Sequence, residues 1–270
     1  PTRAPASKAE AGGASLTGAG RKGRRRLDER LVAEGLAESR NQAQALILSG
    51  VVLVDDTPVD KAGTLVADAA GIRLRGGVRR FVSRGGEKLV GALEDLALDP
   101  DGLDCLDVGA STGGFTDCLL QAGARRVLAV DVGHGQLHSR LRLDPRVEVL
   151  ERVNARTLQA DQLIFPADLV VADVSFISLT LLLPAFVRVA PGAQWLLLVK
   201  PQFEVGRGQV GKGGVVRDDG LRQAAVDSVV EAARESGYHC IGRADSRVAG
   251  PRGNREIFAR FEARGEDPAG

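Results

Sequence analysis

The chain has 270 residues, 44% of them hydrophobic and 26% charged, with a formal net charge of +1. That is long and apolar enough to bury a core, which excludes a wholly disordered chain. Its longest apolar runs are broken by Asp168, Asp173 and Pro184, whereas a membrane span needs ~20 uninterrupted apolar residues, so a protein that does not enter membranes is expected.

Residues 1–24 are Ala, Gly, Ser and basic residues with almost nothing to bury, which predicts a disordered basic tail without a secretory leader. From Arg26 to Ile47 apolar residues recur at helical spacing around a break at Gly35, and Ser39 is placed to cap the second of two short helices. "GVVLVDDTPVD" predicts a strand, a tight Asp-Asp-Thr-Pro turn and a returning strand, and "GIRLRG" predicts one more. The result is a small α+β module over 25–77. Residues 78–85 form a basic linker that leads into an amphipathic helix from Gly86 to Leu96.

Beyond Pro100, strand-like runs at 103–108, 126–131, 147–150, 169–173 and 194–199 alternate with helical patterns at 114–122, 136–142, 179–189 and 219–236. Strands near 238–248 and 255–262 close the chain, leaving 263–270 as a tail. This alternation predicts an α/β domain over 86–262 with a parallel sheet and helices on both faces. Cys105, Cys118 and Cys240 lie in apolar runs without paired spacing, so free thiols in a reducing cytoplasm are expected rather than disulfides or zinc. His134 and His138, four apart in a loop, lack a third ligand, and no metal is expected there either.

Lys and Arg outnumber Asp and Glu by 16 to 12 up to Leu98 and fall behind, 20 to 23, thereafter. A basic front suits an acidic partner such as nucleic acid. Arg24, Arg25, Arg26, Arg30 and Arg40 gather on its helical part, Arg79, Arg80 and Arg84 crowd the linker, and Arg142 and Arg146 could continue the track. All suit phosphate contacts that place an RNA rather than read it.

The stretch "CLDVGASTGGFTDCLL" at 105–120 reads as a strand, an acid, a glycine-rich turn and a helix. Gly109, Gly113 and Gly114 let backbone approach a ligand at a helix N-terminus, but the G-x-G-x-x-G spacing of a dinucleotide site is absent. Asp107, two residues before the first glycine, would repel a pyrophosphate. It could instead hold, directly or through water, the cationic amino-acid end of S-adenosyl-L-methionine. Asp131 ends the next strand, where a carboxylate can accept both ribose hydroxyls, and Asn154 and Ala155 follow the third strand at the adenine's expected position. "LVVADVSF" then ends a core strand at Asp173, and "WLLLVKPQF" ends another at Lys200. A lysine there must be paired or functional, because desolvating it is costly. Lys88 in "GGEKLVGAL" and Glu256 in "GNREIF" add the same two residue types.

Together with "RLDERLVAEGLAESRNQAQALILSGVVLVDDTPVDKAG", "FVSRGGEKLVGALE", "ERVNAR" and "LVKPQFEVGRGQVGKGGVVRD", these motifs resemble the TlyA (hemolysin-A) family of rRNA 2′-O-methyltransferases over about 25–262. The resemblance implies a small S4-like RNA-binding domain followed by a Rossmann-like, FtsJ-like methyltransferase domain dependent on S-adenosyl-L-methionine. It places the family's Lys-Asp-Lys-Glu tetrad on Lys88, Asp173, Lys200 and Glu256, with Lys200 the candidate base beside a neighbouring Lys88 ammonium. It implies a cofactor site of Asp107, Gly109, Ser111, Gly113, Gly114, Phe115, Asp131, Val132, Asn154 and Ala155, with Asp173 a further contact. RNA contacts fall on Arg24, Arg26, Arg40, Arg80, Arg84, Arg142 and Arg146. Phe81 stands where some relatives carry Trp. The chain stops at Gly270 without the C-terminal helical extension of members that modify both subunits, which implies action on a cytidine of 23S rRNA in the 50S subunit, with 16S rRNA kept as an alternative substrate; a monomer is expected. The readings that compete are a membrane-active cytolysin, a binding-only assembly factor, and an enzyme of tRNA or mRNA caps.

Overall fold

A computed structural model describes residues 23–37, 39–75 and 80–265; the tail expected at the front, Arg79 and the last five residues lie outside the described residues. The chain forms two compact units, Pro1–Arg79 and Arg80–Gly270.

In the first unit, α1 (Leu27–Ala33) and α2 (Arg40–Leu48) bury Leu27, Leu31, Ala43 and Ile47 against Val52 and Val66. Ser39 caps α2, its Oγ accepting from Gln42 N at 3.2 Å. Strands β2 (Val52–Val54) and β3 (Thr57–Pro58) form a hairpin, and β5 (Ile72–Leu74) pairs on the other side of β2. The turn is tighter than the sequence suggests. Asp55 and Asp56 both have positive φ, 45° and 65°, as a two-residue hairpin turn demands, so Thr57 and Pro58 already belong to the returning strand. A second ladder, β1 (Arg24–Arg26) with β4 (Leu65–Ala67), was hidden, because three consecutive arginines carry no apolar alternation. Arg24 to Arg26 therefore sit on a strand rather than on the helical part, and Arg24 is not tail.

The second unit begins with Phe81 buried and Ser83 capping α3 (Arg84–Asp95), so ordered structure starts before the helix expected at Gly86. There follow β6 (Asp104–Val108), α4 (Gly114–Gln121), β7 (Arg126–Asp131), α5 (Ser139–Arg142) and β8 (Val147–Glu151). Then come β9 (Leu169–Ala172), α6 (Leu183–Val189), β10 (Gln194–Val199), α7 (Pro201–Glu204), α8 (Asp219–Glu235), β11 (Tyr238–Asp245) and β12 (Ile257–Ala263). They build one seven-stranded sheet in the order β11-β12-β10-β9-β6-β7-β8. Apolar layers cover both faces, one centred on Phe186, Trp195 and Phe261 and the other on Leu89, Phe115 and Phe258.

The sheet is not wholly parallel. β12 runs antiparallel to both β10 and β11, because the chain returns through residues 246–256 without a crossover helix. The helix expected at 179–189 is also divided: a 3-10 turn at Leu179–Leu181 precedes α6, whose first turn holds Pro184. β6 has β7 on one side and β9 on the other, so the chain reverses its direction of growth there, and a crevice opens beyond the carboxyl ends of these strands.

Candidate active site

The turn after β6 is shaped by close approach. Gly109 has φ +85°, and a Cβ on it would lie 2.8 Å from the Asp173 carbonyl oxygen; one on Gly114 would lie 2.2 Å from Ser83 Oγ and 2.9 Å from Gly86 N. The turn thus presses on the end of β9 and on α3 at once. Asp131 splints it from β7: Oδ2 accepts from Ser111 N at 2.7 Å and Oδ1 from Gly133 N at 2.6 Å. Each oxygen keeps a further lone-pair site for a ligand hydroxyl.

Beside the turn lies a cavity of about 500 Å³, walled by Gly109, Ser111, Asp131, Val132, Asn154, Ala155 and Asp173. Asp107 and Gly113 are not in that wall. Gly113 turns toward Leu137 and Leu141. Asp107 is fully buried beneath the turn, where Oδ2 accepts from Thr116 Oγ1 at 2.6 Å and Oδ1 has no hydrogen-bond partner. Burial pushes this carboxyl up to about 7.

A second, narrower cleft of about 230 Å³ is lined by Lys88, Gly114, Phe115, Asp173, Ser175 and Lys200. Lys88, from α3, donates to Glu256 Oε2 at 2.6 Å, with side chains 8% and 0% exposed. Lys200, after β10, lies 2.5 Å from Asp173 Oδ1 and donates to Ser175 Oγ at 3.0 Å. Asp173 Oδ1 takes no aligned hydrogen bond, so that contact is an ion pair by proximity alone. Each lysine therefore has its own carboxylate, and both open on one cleft. Glu256 is held by the segment before it. Backbone at Gly250 packs so tightly that a Cβ would lie 2.2 Å from Glu256 Oε1, Arg84 donates to the Ala249 carbonyl at 2.6 Å, and buried Asn254 bonds Val216 N and Gly214 O.

Two neighbours of the site escaped sequence reasoning. Ser175 borders both spaces and holds Lys200. Phe176 is 91% exposed at φ +67°, a strained conformation for an aromatic residue, with its ring 5.3 Å from that of Phe203. An aromatic side chain directly after a strand-end acid and serine was the available signal.

The arginines differ in how free they are. Arg24, Arg80 and Arg84 are exposed, although Arg84 is tied to Ala249 and Arg80 lies 4.8 Å above the Phe81 ring. Arg26 and Arg40 pair with Asp28, Arg142 with Glu151 and Arg146 with Asp144. Arg30 is buried and bonds Glu34 and the carbonyls of Ala67 and Ala70, which removes it from any RNA surface. His134 contacts Glu151, and among the described residues no cluster of metal-binding side chains occurs and no helix is long and apolar enough to cross a membrane.

Residues 81–262 match the FtsJ-like methyltransferase family and residues 25–70 the S4 domain. The 16S/23S rRNA (cytidine-2′-O)-methyltransferase TlyA of Mycobacterium tuberculosis is 52% identical over 87% of this chain and 88% of its own length. Hemolysin A of Brachyspira hyodysenteriae is 41% identical over 87% and 99%, respectively. A solved structure from Streptococcus thermophilus that carries the hemolysin name superposes with a TM-score of 0.70 at 39% identity, covering 90% of this chain and 89% of that one. With its S4 domain ahead of an FtsJ-like domain, the chain belongs to the TlyA family of methyltransferases.

Proposed function

We propose that the protein transfers a methyl group from S-adenosyl-L-methionine to the ribose 2′-oxygen of a cytidine in 23S rRNA, within the 50S subunit, as a monomer. The observation that carries this reading is the meeting of two lysine–carboxylate pairs, Lys88–Glu256 and Lys200–Asp173, on one cleft beside the strand-end cavity. A ribose hydroxyl is a poor nucleophile, so a transferase acting on it must orient it and take its proton.

The residues present fit the cofactor. The carboxylate of Asp131 suits ribose hydroxyls, Asn154 and Ala155 border the space for a purine, and Asp107, buried behind the glycine turn and outside both cavity walls, keeps an unpartnered Oδ1 that favours positive charge on the far side of the turn. When bound, S-adenosyl-L-methionine supplies an electrophilic methyl and leaves as a neutral thioether that needs no acid. Lys200 is the residue placed to receive the hydroxyl proton, with Asp173 beside the ammonium that results and Ser175 fixing the amine's direction. Lys88, held by Glu256, orients the ribose from the same cleft. The S4 domain over 25–77 supplies affinity through Arg26 and Arg40, joined by Arg24 immediately before it, and Arg80, Arg84, Arg142 and Arg146 add phosphate contacts on the methyltransferase domain.

The RNA and the nucleotide follow the name of the Mycobacterium tuberculosis relative, which also includes 16S rRNA. The test is transfer of labelled methyl to unmodified 50S subunits, with 30S subunits and Lys200→Ala in parallel. Label on 50S RNA that the variant does not produce is expected. Label on 30S RNA alone would overturn the choice of subunit, and no label on either would overturn the activity.

A further inference from the structure

Asp28 is a buried carboxylate that the methyl-transfer chemistry does not use, and it lies between two of the arginines assigned to RNA. It stands in the first turn of α1. Oδ1 accepts from Arg26 Nε and Glu29 N, each at 3.0 Å, and Oδ2 accepts from Arg26 Nη2 at 2.9 Å, Gln44 Nε2 at 3.1 Å and Arg40 Nη2 at 3.2 Å. The Arg26 guanidinium beside it holds this carboxyl well below the usual carboxylate range, so its charge is permanent near neutral pH.

The two guanidiniums come from different elements, Arg26 from the end of β1 and Arg40 from the start of α2. Their side chains are 41% and 53% exposed, although that of the carboxylate they share is 0% exposed. Arg26 gives Asp28 its Nε and Nη2 and Arg40 gives its Nη2, so each keeps Nη1 for another acceptor. The Arg26 head also packs beside Gly63, where a Cβ would lie 3.5 Å from Nη1 and 3.8 Å from Cζ. Two guanidiniums against one buried carboxylate leave a surplus of positive charge. Glu29, 3.5 Å from Arg40 and 3.9 Å from Arg26, is 47% exposed and competes only weakly with an incoming anion. A long cationic side chain ordinarily gives up rotamer freedom when it meets a phosphate. Here folding has already ordered both heads on a single oxygen, Oδ2, which sets them close enough to grip one phosphate together.

We propose that Asp28 is a positioning residue for RNA binding: touching no RNA itself, it sets Arg26 and Arg40 as a paired clamp for one backbone phosphate. This rests on the reading of those two arginines as RNA contacts. It adds that the clamp is assembled before RNA arrives, and that a buried acid in a basic domain serves affinity for an anion.

The test is a cycle on the full chain, with KM for unmodified 50S subunits, kcat and cofactor affinity measured for each protein. Replacing both arginines, Arg26→Ala with Arg40→Ala, is expected to raise KM about tenfold or more. Asp28→Asn, which turns one acceptor oxygen into a donor, is expected to raise KM about tenfold by freeing the two heads, with kcat and cofactor affinity unchanged. In the chain that already lacks both arginines, Asp28→Asn should change KM less than about twofold. A merely structural Asp28 would shift KM by the same factor in both backgrounds; that result, or an unchanged KM in Asp28→Asn alone, would overturn the proposal. Arg26→Lys gives a second reading that leaves Asp28 in place. A single ammonium cannot span the carboxylate and a phosphate as a planar guanidinium can, so KM should rise nearly as far as with Arg26→Ala. Wild-type KM in Arg26→Lys would overturn the clamp even where Asp28→Asn fails to fold. An unchanged KM without both arginines would overturn their reading as RNA contacts and the clamp with it, while methylation of the same subunits by wild type tests the activity separately.

Discussion

Asp107→Asn should abolish a specific dependence of stability on pH. The Asp107 carboxyl is fully buried, with Thr116 its hydrogen-bond donor, and burial raises it from 3.8 to about 7. At 1.36 kcal/mol for each tenfold change in proton affinity, that difference corresponds to roughly 4 kcal/mol. The sign follows from which state holds the proton. Below about pH 4 both folded and unfolded chains are protonated; as pH rises toward about 7 the unfolded chain releases a proton that the folded one keeps, so stability falls and then levels off. Urea unfolding of both proteins between about pH 4 and about pH 8 should show wild type losing roughly 4 kcal/mol relative to Asp107→Asn across that window. A second readout concerns the cofactor. If Asp107 holds an amino group, S-adenosylhomocysteine should bind more tightly as pH rises through about 7, and the variant should lose that slope. Parallel stability curves for the two proteins, or flat affinity in wild type, would refute the reasoning.

Glu256→Ala leaves the Lys88 ammonium buried without its partner and should cost about 3–5 kcal/mol by denaturant unfolding. The double replacement Lys88→Met with Glu256→Leu should regain most of that stability and none of the methyl transfer. Ser175→Ala removes a hydrogen bond to Lys200 and should lower kcat by roughly 10–100-fold with cofactor affinity unchanged, and Ser175→Thr should restore it. Gly109→Ala forces a Cβ to 2.8 Å from the Asp173 carbonyl at φ +85°, so calorimetry should show cofactor affinity falling by about tenfold or more.

The α/β rhythm was legible because β7, β9 and β10 carry short buried apolar runs that give way to a polar residue at or just after the strand end, and those positions alone brought Asp131, Asp173 and Lys200 to one edge. The antiparallel β12 was not legible, since its apolar residues look the same in either direction and only the short return from β11 decides it. Nor could spacing divide the lysines between two carboxylates: Lys88 and Glu256 are 168 positions apart and meet only because α3 packs beside the return into β12. Arg30 illustrates the opposite failure. Its charge pattern suggested an RNA contact, whereas helical phase turns it inward onto the Ala67 and Ala70 carbonyls. Ser175 and Phe176 went unseen because a serine and an aromatic at a strand end carry no periodic signal.

Digestion of 50S rRNA to nucleosides after incubation with labelled S-adenosyl-L-methionine, followed by chromatography and mass spectrometry, tests the central claim most directly. The account predicts that the label resides in 2′-O-methylcytidine and disappears with Lys200→Ala. Label on a base, on a different nucleoside, or undiminished in the variant would contradict it.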